Sequence, residues 1–508
     1  GQQANGNWTI VKADTIPEGA TVLPSVWAMK RKRRIATQEV YKWKSRLNLD
    51  GSKQQKGINF WETYAPVASW AAIRLILTMV IIKGWKMRQI DYVLAYTQAD
   101  AEWTDMYMKI PKGFQIPGAS PDEYLLKIEK NLYGGKQAGR VWNKHLVSRL
   151  QSIGFKQSKV DECIFYRGKT VYVLYTDDSI LAGPDDKEID QIIHDMKKAN
   201  LDITVEGDLS DFLGVQIDRR ADGTIHLTQP HLIDQILREV RLEGDNITTK
   251  LTPSKGSILK RHSESEPFDR HFDYRRVIGK LNYLEKSTRP DIAFQVHQCA
   301  RFCAEPKKEH GNAIIWICRY LAATKDKGLI FKPTQQSFDC YVDADFSGNW
   351  DKNDASATDL DTAKSRTGFI ITYAGCPIVW ASKLQTLIAL STTEAEYLAL
   401  STALRDVIPL MELVKDLRKH GFDFTSTQPT IHCRVFEDNS GAIEIANVHK
   451  WRPRTKHINC QFHHFRHYVT TKQITILPID TEDQPADIMT KMVTLMLFQK
   501  HRMFIMGW

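Results

Sequence analysis

Asp177 and Asp178 close the run YTDD (175–178), in which an aromatic and one small residue precede two adjacent carboxylates. Such a pair at a tight turn makes a platform for Mg²⁺, which takes hard oxygen ligands and keeps few from the protein. Paired Asp in turns is also common without any ion. Asp91 adds weight, because it ends a second apolar run, after MRQI. Two hydrophobic strands that each end in carboxylate can bring Asp91, Asp177 and Asp178 to one sheet edge. Three carboxylates gathered there repel unless cations bind, and a two-metal phosphoryl-transfer site is the use this suggests.

The C-terminal third repeats the logic with different spacing. Asp343 ends a strand in YVDADFSGN (341–349), and Glu396 lies on a helix in STTEAEYLAL (391–400). Asp438 ends another strand in VFEDNSGA (435–442), and Asp487 opens the last helix in QPADIMTK (484–491). Strand-end Asp, helix Glu, strand-end Asp and helix-start Asp is the pattern of a ribonuclease H fold, in which carboxylates hold two Mg²⁺. Asp345 competes with Asp343, and Glu394 with Glu396. Asp487 also reads as a charge helped by a helix N-terminus. Glu437 is expected to face solvent. His457, Cys460, His463, His464 and His467 invite a zinc reading, but their spacing is helical and no CxxC pair is near.

The elements that must position these groups follow from periodicity. A buried helix is predicted over Ile73–Lys83, a strand running into a turn and helix over 85–100, and a helix over Leu146–Ile153. Strands Glu162–Arg167 and Val171–Tyr175 flank GKT (168–170), and Ile189–Asn200 is an amphipathic helix. Phe212–Asp218 and Thr224–Leu227 form another hairpin, and residues 230–330 are helix-rich. Past KPTQQS (332–337), strands are predicted around Cys340–Val342 and at Thr367–Tyr373, Ile378–Ala381, Thr430–Phe436 and Ile474–Pro478. A long helix spans Thr393–His420, and further helices start at Ser440, Cys460 and Pro485.

Composition bounds the class. The 508 residues are 42% hydrophobic and 25% charged, as in ordinary globular proteins, and allow three or four domains. Eight scattered Cys without a CxxC pair fit a reducing compartment. The most apolar stretch, Ala68–Trp85, is too short and too charged to span a bilayer. The chain starts without Met, as a cleaved or excised product would. The net charge of +9 is uneven: residues 1–60 hold 11 Lys and Arg against 4 Asp and Glu. That suits either a solubilising surface or a polyanionic partner. KRKRR (30–34) reads as a nuclear localisation signal or as a surface touching template phosphates.

Several stretches resemble the reverse transcriptase–ribonuclease H segment of copia-type LTR retrotransposon polyproteins. They include residues 41–77, QIDYVLAYTQADAEWTDMYMKIPKGF (89–114), LYGGKQAGRVWN (132–143), LYTDDSILAG (174–183), GDLSDFLGVQI (207–217) and YRRVIGKLNYLEKSTRPDIAF (274–294). Residues 364–400 and RTKHINCQFHHFRHYV (454–469) extend the likeness into the last third. The resemblance implies metal ligation by Asp91, Asp177 and Asp178 in one centre and by Asp343, Glu396, Asp438 and Asp487 in the other. It places Tyr96 against the sugar of the incoming nucleotide, Gln137 and the finger residues Lys44 and Arg46 around that nucleotide, and Phe212, Leu213 and Gly214 at the primer end. His457 and His464 match positions that support the fold or touch nucleic acid. Gly135 and Gly139 depart from the family's usual apolar residue and Pro. Tyr92 follows Asp91 where only its backbone carbonyl is expected to ligate, so its side chain is expected to matter little.

The fold expected from this resemblance is α+β: a right hand of fingers, palm and thumb, then a ribonuclease H-like α/β domain. Fingers and palm are assigned to 1–240, thumb or connection-like helices to 241–332, and ribonuclease H to 338–508. The short join predicts that helices near 300–330 dock close to the second catalytic domain. The expected activity copies retrotransposon RNA into DNA, on RNA and DNA templates, and degrades the RNA of hybrids. Expected cofactors are two Mg²⁺ per site, with Mn²⁺ as an alternative. Expected partners are an RNA template, a DNA or tRNA primer, the RNA–DNA hybrid and dNTPs, without a membrane, for a monomer or homodimer. The expected location is a cytoplasmic virus-like particle with access to the nucleus.

Overall fold

The computed structural model describes residues 6–33, 39–102, 105–207, 209–244, 247–261, 264–334, 337–350, 360–422, 431–447 and 464–508. The chain divides into two compact units. One comprises Gly1–Ala68 and Trp85–Leu209, the other Ser69–Gly84 and Ser210–Trp508. Both mix helices and sheets, so the fold is α+β. Among the described residues no helix is long and apolar enough to cross a membrane.

The first unit is built on a six-stranded antiparallel sheet. Its spatial order is Ile203–Val205, Lys86–Tyr92, Asp178–Gly183, Thr170–Tyr175, Ile164–Arg167 and Lys156–Gln157. The central strands are almost wholly apolar, as burial of both faces requires. Helix Asp186–Lys198 turns Ile189, Ile192, Ile193 and Met196 inward. Helix Ala138–Ser152 buries Trp142, Leu146 and Leu150. It starts eight residues earlier than its apolar spacing predicts, because the first two turns bury only Ala138 and Trp142. The helix expected after Tyr92 is only a 3-10 turn, Ala95–Gln98, entered through Leu94 at φ 51° without a side-chain cap.

A smaller sheet of Trp8–Lys12, Tyr124–Ile128, Met106–Lys109 and Thr21–Leu23 completes this unit, beside the hairpin of Ser25–Arg33 and Val40–Leu49. Leu47 and Leu49 at the base of that hairpin enter the core of the small sheet. The basic side chains lie further along it, with Lys44 opposite Lys30 and Arg46 opposite Ala28.

The second unit holds a five-stranded mixed sheet, in the order Cys376–Leu384, Arg366–Tyr373, Phe338–Asp345, Cys433–Glu437 and Ile474–Pro478. The first three strands run antiparallel and the last two parallel to Phe338–Asp345. Helix Thr392–Lys419 packs on this sheet. The same unit contains helices Tyr274–Ser287, Ala293–Ala300 and Lys308–Ala323. Tyr320 packs edge-on to Phe498 of the C-terminal helix at 5.8 Å, so the helices near 300–330 do dock against the C-terminal part.

Helix Trp70–Lys83 also belongs to this second unit. Ser69 caps its start, accepting from Ala72 N at 3.1 Å, and Gly84 at φ 64° ends it. Its buried Arg74 spans three elements. The guanidinium donates to Ile378 O at 2.9 Å, to Ser287 O at 2.9 Å and to Lys286 O, and lies 4.0 Å over the Trp380 ring. Burial lowers its pKa to about 9, opposed by Glu285. Replacing Arg74 by Ala strands buried carbonyls and opens a cavity. The expected loss is about 3–5 kcal/mol, read as a lower urea midpoint; an unchanged midpoint would mean that Arg74 is not a clamp.

Candidate active sites

The strand Lys86–Tyr92 pairs with Asp178–Gly183 so that Asp91 stands directly opposite Asp178. Residues paired this way share a face, and like charges so placed are destabilising. On its other side Asp91 pairs with Thr204. Asp177 lies in the two-residue turn between Tyr175 and Asp178, which are themselves paired. Thr176 takes φ 56° in that turn, where Gly is favoured. Trp142 Nε1 donates to Thr176 O at 2.8 Å and so pins the turn. Trp142 packs edge-on to Tyr92 at 5.1 Å.

Tyr92 matters more than its place after Asp91 suggested. It is buried, and its hydroxyl lies 2.7 Å from that of Tyr172, which reaches Ser179 Oγ at 2.6 Å. These hydroxyls lock the neighbours of both Asp91 and Asp178. Burial pushes the Tyr92 phenol well up, so it stays a neutral hydrogen-bonding group.

Around the same turn the structure gathers Arg46, Tyr96 and Tyr133. The rings of Tyr96 and Tyr133 stack at 4.6 Å, and Arg46 Cζ sits 4.9 Å over Tyr133. Burial and then the Asp177 charge raise Tyr96. Burial pushes Tyr133 to about 12. Gly139 faces the Tyr96 hydroxyl, where an added Cβ would make ordinary contact at 3.7 Å. Gly134, at φ 93°, runs so close to Leu49 that a Cβ would come within 2.1 Å of its carbonyl oxygen. Leu49 N donates to Tyr133 O at 2.8 Å. The basic hairpin is thereby fastened backbone to backbone onto the loop that carries Tyr133.

Gln137 stands just before helix Ala138–Ser152 and is 7% exposed. Its Oε1 accepts from Gln54 Nε2 at 3.0 Å, and Gln54 Oε1 accepts from Lys136 N at 2.7 Å. Phe212, Leu213 and Gly214 form a tight hairpin in the second unit, with Phe212 opposite Val215 and both turn residues at positive φ, 53° and 71°. Leu213 O accepts from the Tyr283 hydroxyl and Gly214 O from Gln229 Nε2 at 3.3 Å.

The second carboxylate group is drawn tighter. Asp343, Glu396 and Asp438 each bring an oxygen within 4.8 Å of the others. Asp91 and Asp178, by contrast, are cross-strand partners, with Asp177 in the adjoining turn. Phe338–Asp345 and Cys433–Glu437 are parallel neighbours, so Asp343 and Asp438 leave the sheet at one edge. Glu396 comes from helix Thr392–Lys419, whose start is set by Ser391 and by Glu394, which accepts from Leu390 N at 2.8 Å. Glu394 is thus committed to the cap, and Glu396 is turned inward.

Asp487 is buried at the start of a single turn, Asp487–Thr490; the last helix is the separate Leu495–Met506. Gln484 Nε2 ties this turn to the strand Phe338–Asp345 through Val342 O at 2.8 Å, and Thr490 Oγ1 donates to Asp343 Oδ2. Gly368, paired with Asp343, makes the approach feasible, since a Cβ there would lie 2.5 Å from Thr490 Cγ2. Lys491 Nζ lies 2.9 Å from Asp487 and 3.5 Å from Asp343.

Glu437, expected at the surface, is fully buried. Strand alternation puts it on the face of Cys433 and Val435, and only Asp438 beyond it reaches the edge. Burial, then the Glu437 charge, pushes Glu396 up to about 11. Burial drives Glu437 well up and raises Asp343; burial and then Asp343 raise Asp487 to about 7. Burial pulls Lys491 down, but Asp343 and Asp487 outweigh it and hold it above its ordinary range. Glu396 Oε2 and Glu437 Oε2 are buried without a hydrogen-bond partner. This is the donor set of a hard divalent cation, so the residues present fit one.

Residues 5–255 match the family described as reverse transcriptase (RNA-dependent DNA polymerase). The Retrovirus-related Pol polyprotein from transposon TNT 1-94 of Nicotiana tabacum is 31% identical over 503 residues, which is 97% of this chain and 36% of the relative. That from transposon RE1 of Arabidopsis thaliana is 32% identical over 505 residues, 98% of this chain and 32% of the relative. The chain belongs to the copia-type reverse transcriptases. It spans about a third of the length of these curated relatives. A solved foamy viral protease–reverse transcriptase in complex with double-stranded DNA aligns with 94% of this chain and 68% of its own, at 13% identity and a TM-score of 0.47.

In this copia-type chain, sequence reasoning passed over Tyr133, Gln54, Trp142, Tyr172, Gly368 and Lys491, and it misplaced Glu437 at the surface. Tyr133 and Trp142 lie inside LYGGKQAGRVWN, and Lys491 closes QPADIMTK, so their place beside matched residues was a usable signal. Gln54, Tyr172 and Gly368 act through contacts far along the chain and leave no local signal. Of the His–Cys run, His457, Cys460 and His463 lie outside the described residues, and so does Arg34 of the basic cluster. His467 is exposed on the short helix Arg466–Thr470, and His464 stands edge-on to Phe465.

Proposed function

We propose that this chain is an RNA- and DNA-directed DNA polymerase joined to a ribonuclease H that cuts the RNA strand of RNA–DNA hybrids. The observation that carries this reading is a pair of separate carboxylate groups, one in each unit: Asp91, Asp177 and Asp178 at one strand end, and Asp343, Glu396, Asp438 and Asp487 around another. Divalent metals, Mg²⁺ first and Mn²⁺ as alternative, would be held by these two sets. When bound, such ions activate the attacking oxygen and stabilise the leaving one.

The chain's own residues do the positioning. Arg46 and Lys44 offer cationic donors to a triphosphate, for which the Arg fork is suited. Tyr96, stacked on Tyr133, presents a rigid edge near Asp177 that admits a deoxyribose and clashes with a 2′-hydroxyl. Gln137, held by Gln54, borders the same region. Phe212, Leu213 and Gly214 offer a stiff turn for the primer end. Partners on this reading are an RNA template, a DNA or tRNA primer, the hybrid product and dNTPs. The setting is a retrotransposon particle in the cytoplasm. Domain limits at 1–240, 241–332 and 338–508 are kept as functional segments.

The test is primer extension on an RNA template with dNTPs and Mg²⁺, alongside cleavage of a labelled hybrid. Full-length product and shortened RNA are expected, and both stop on chelation. Binding of hybrid without extension or cleavage would instead mark a nucleic-acid-binding protein with dead centres.

A further inference from the structure

The carboxylate group of the second unit already has a cation beside it, supplied by the chain. Lys491 Nζ stands 2.9 Å from Asp487 Oδ1 and 3.5 Å from Asp343 Oδ1. It follows directly on the single turn that also delivers Asp487 and the Thr490 hydroxyl. One short segment therefore brings a candidate ligand, a hydroxyl donor and an ammonium to the same place.

The charge balance there is lopsided. Asp343, Glu396, Glu437 and Asp487 are buried, Asp438 is half-buried, and Lys491 is the cation whose pairing with the group is seen. A single ammonium relieves two of the five carboxyl groups. A divalent ion drawn to this cluster would act on the same Asp343 and Asp487 that Lys491 engages. Two cations within a few ångströms repel strongly in a poorly solvated site. One must yield, and the flexible one is the lysine. Its side chain is 36% exposed, so a released ammonium can regain water. It also borders a cavity of about 80 Å³ lined by Thr252, Ser254, Asp291 and Gln295, which gives the stem room to swing.

We propose that Lys491 is the resident counter-ion of this centre, and that divalent metal binds by exchange with it, releasing the ammonium from Asp343 and Asp487. The proposal rests on reading the cluster as a metal site. Lys491 is on this view a positioning residue: it holds the carboxylates together before metal arrives and sets the metal concentration at which the centre fills.

The test uses the full chain, with Asp178→Asn in every arm to weaken binding at the first centre. Mg²⁺ binding is followed by calorimetry and by the shift in melting temperature. Lys491→Met is expected to melt lower without metal and to bind Mg²⁺ about tenfold tighter, because the competing cation is gone. Lys491→Arg, which keeps the charge, should stay near the parent affinity. Independently, acetylation of Lys491 in the parent chain, read by peptide mass spectrometry, should speed up when Mg²⁺ is added. Unchanged or weaker Mg²⁺ affinity in Lys491→Met overturns the exchange. So does acetylation that Mg²⁺ slows or leaves alone, and this readout stands even if Lys491→Met does not fold. Metal binding that Asp343→Asn fails to weaken, or that is absent in every arm, overturns the metal-site reading itself and the exchange with it.

Discussion

Asn at position 178 is expected to lower primer extension by about 10³-fold or more, while hybrid cleavage stays near the wild-type rate. The magnitude is taken by analogy with phosphoryl transfer, in which a single arginine that stabilises the transition-state charge is worth about 10³–10⁵ in rate. The specificity follows from the fold. Asp178 stands opposite Asp91 in the first unit, whereas the second carboxylate group is assembled from strands and helices of the other unit. Asn keeps the size and shape of Asp, so the strand register and the Thr176 turn have no reason to change. The like-charge opposition with Asp91 is removed, so thermal stability should hold or rise slightly. Extension and cleavage are measured on the same preparation, with melting temperature as the control for folding. Extension within tenfold of wild type would take Asp178 out of the polymerase centre. Loss of both activities together would mean that the two centres are not independent.

The two carboxylate patterns were legible because Asp91, Asp178, Asp343 and Asp438 each sit at the end of a strand-like run, and strand ends are where a sheet releases side chains to an edge. Asp91 and Asp178 could be matched on that ground, and the structure puts them in register. The hairpin ending in YTDD and the long helix Thr392–Lys419 were legible for a related reason: local periodicity alone determines them. What failed was local in a different way. Glu437 looked like a surface residue because it is charged and next to Asp438, but strand alternation buries it. Tyr92 looked incidental because its partner Tyr172 lies eighty positions away. The helix expected after Tyr92 shrank to a turn because Leu94 takes a left-handed conformation that no composition signal announces. Helix Trp70–Lys83 was found, but its allegiance was not. Arg74, an interruption in an apolar run, turns out to be the group that fastens the helix to Ile378 and Ser287. Long-range partners of polar groups were thus the part that one sequence concealed.

Gln at position 396 is expected to do two opposite things: abolish hybrid cleavage, by about 10³-fold or more, and stabilise the metal-free chain. The second effect distinguishes a strained functional carboxylate from a structural one. Glu396 is buried, one of its oxygens has no hydrogen-bond partner, and Glu437, Asp343 and Asp438 surround it. A carboxyl in that position is unfavourable whether it holds its charge among like charges or must take up a proton to lose it. The Gln amide has nearly the same shape, carries no charge, and donates through its nitrogen to neighbours that only accept. The expected gain is about 1–3 kcal/mol, seen as a higher urea midpoint in the presence of chelator. Added Mg²⁺ should then stabilise the variant less than wild type, since one ligand is missing and binding to the native state is what raises its stability. Glu394→Gln is the control. Glu394 holds the helix start through Leu390, so its replacement should leave cleavage intact and weaken folding slightly, by about 1 kcal/mol or less. Cleavage that survives Glu396→Gln and fails in Glu394→Gln would exchange the two assignments. Cleavage lost together with stability in Glu396→Gln would mean that Glu396 holds the fold together, which its unpartnered oxygen argues against.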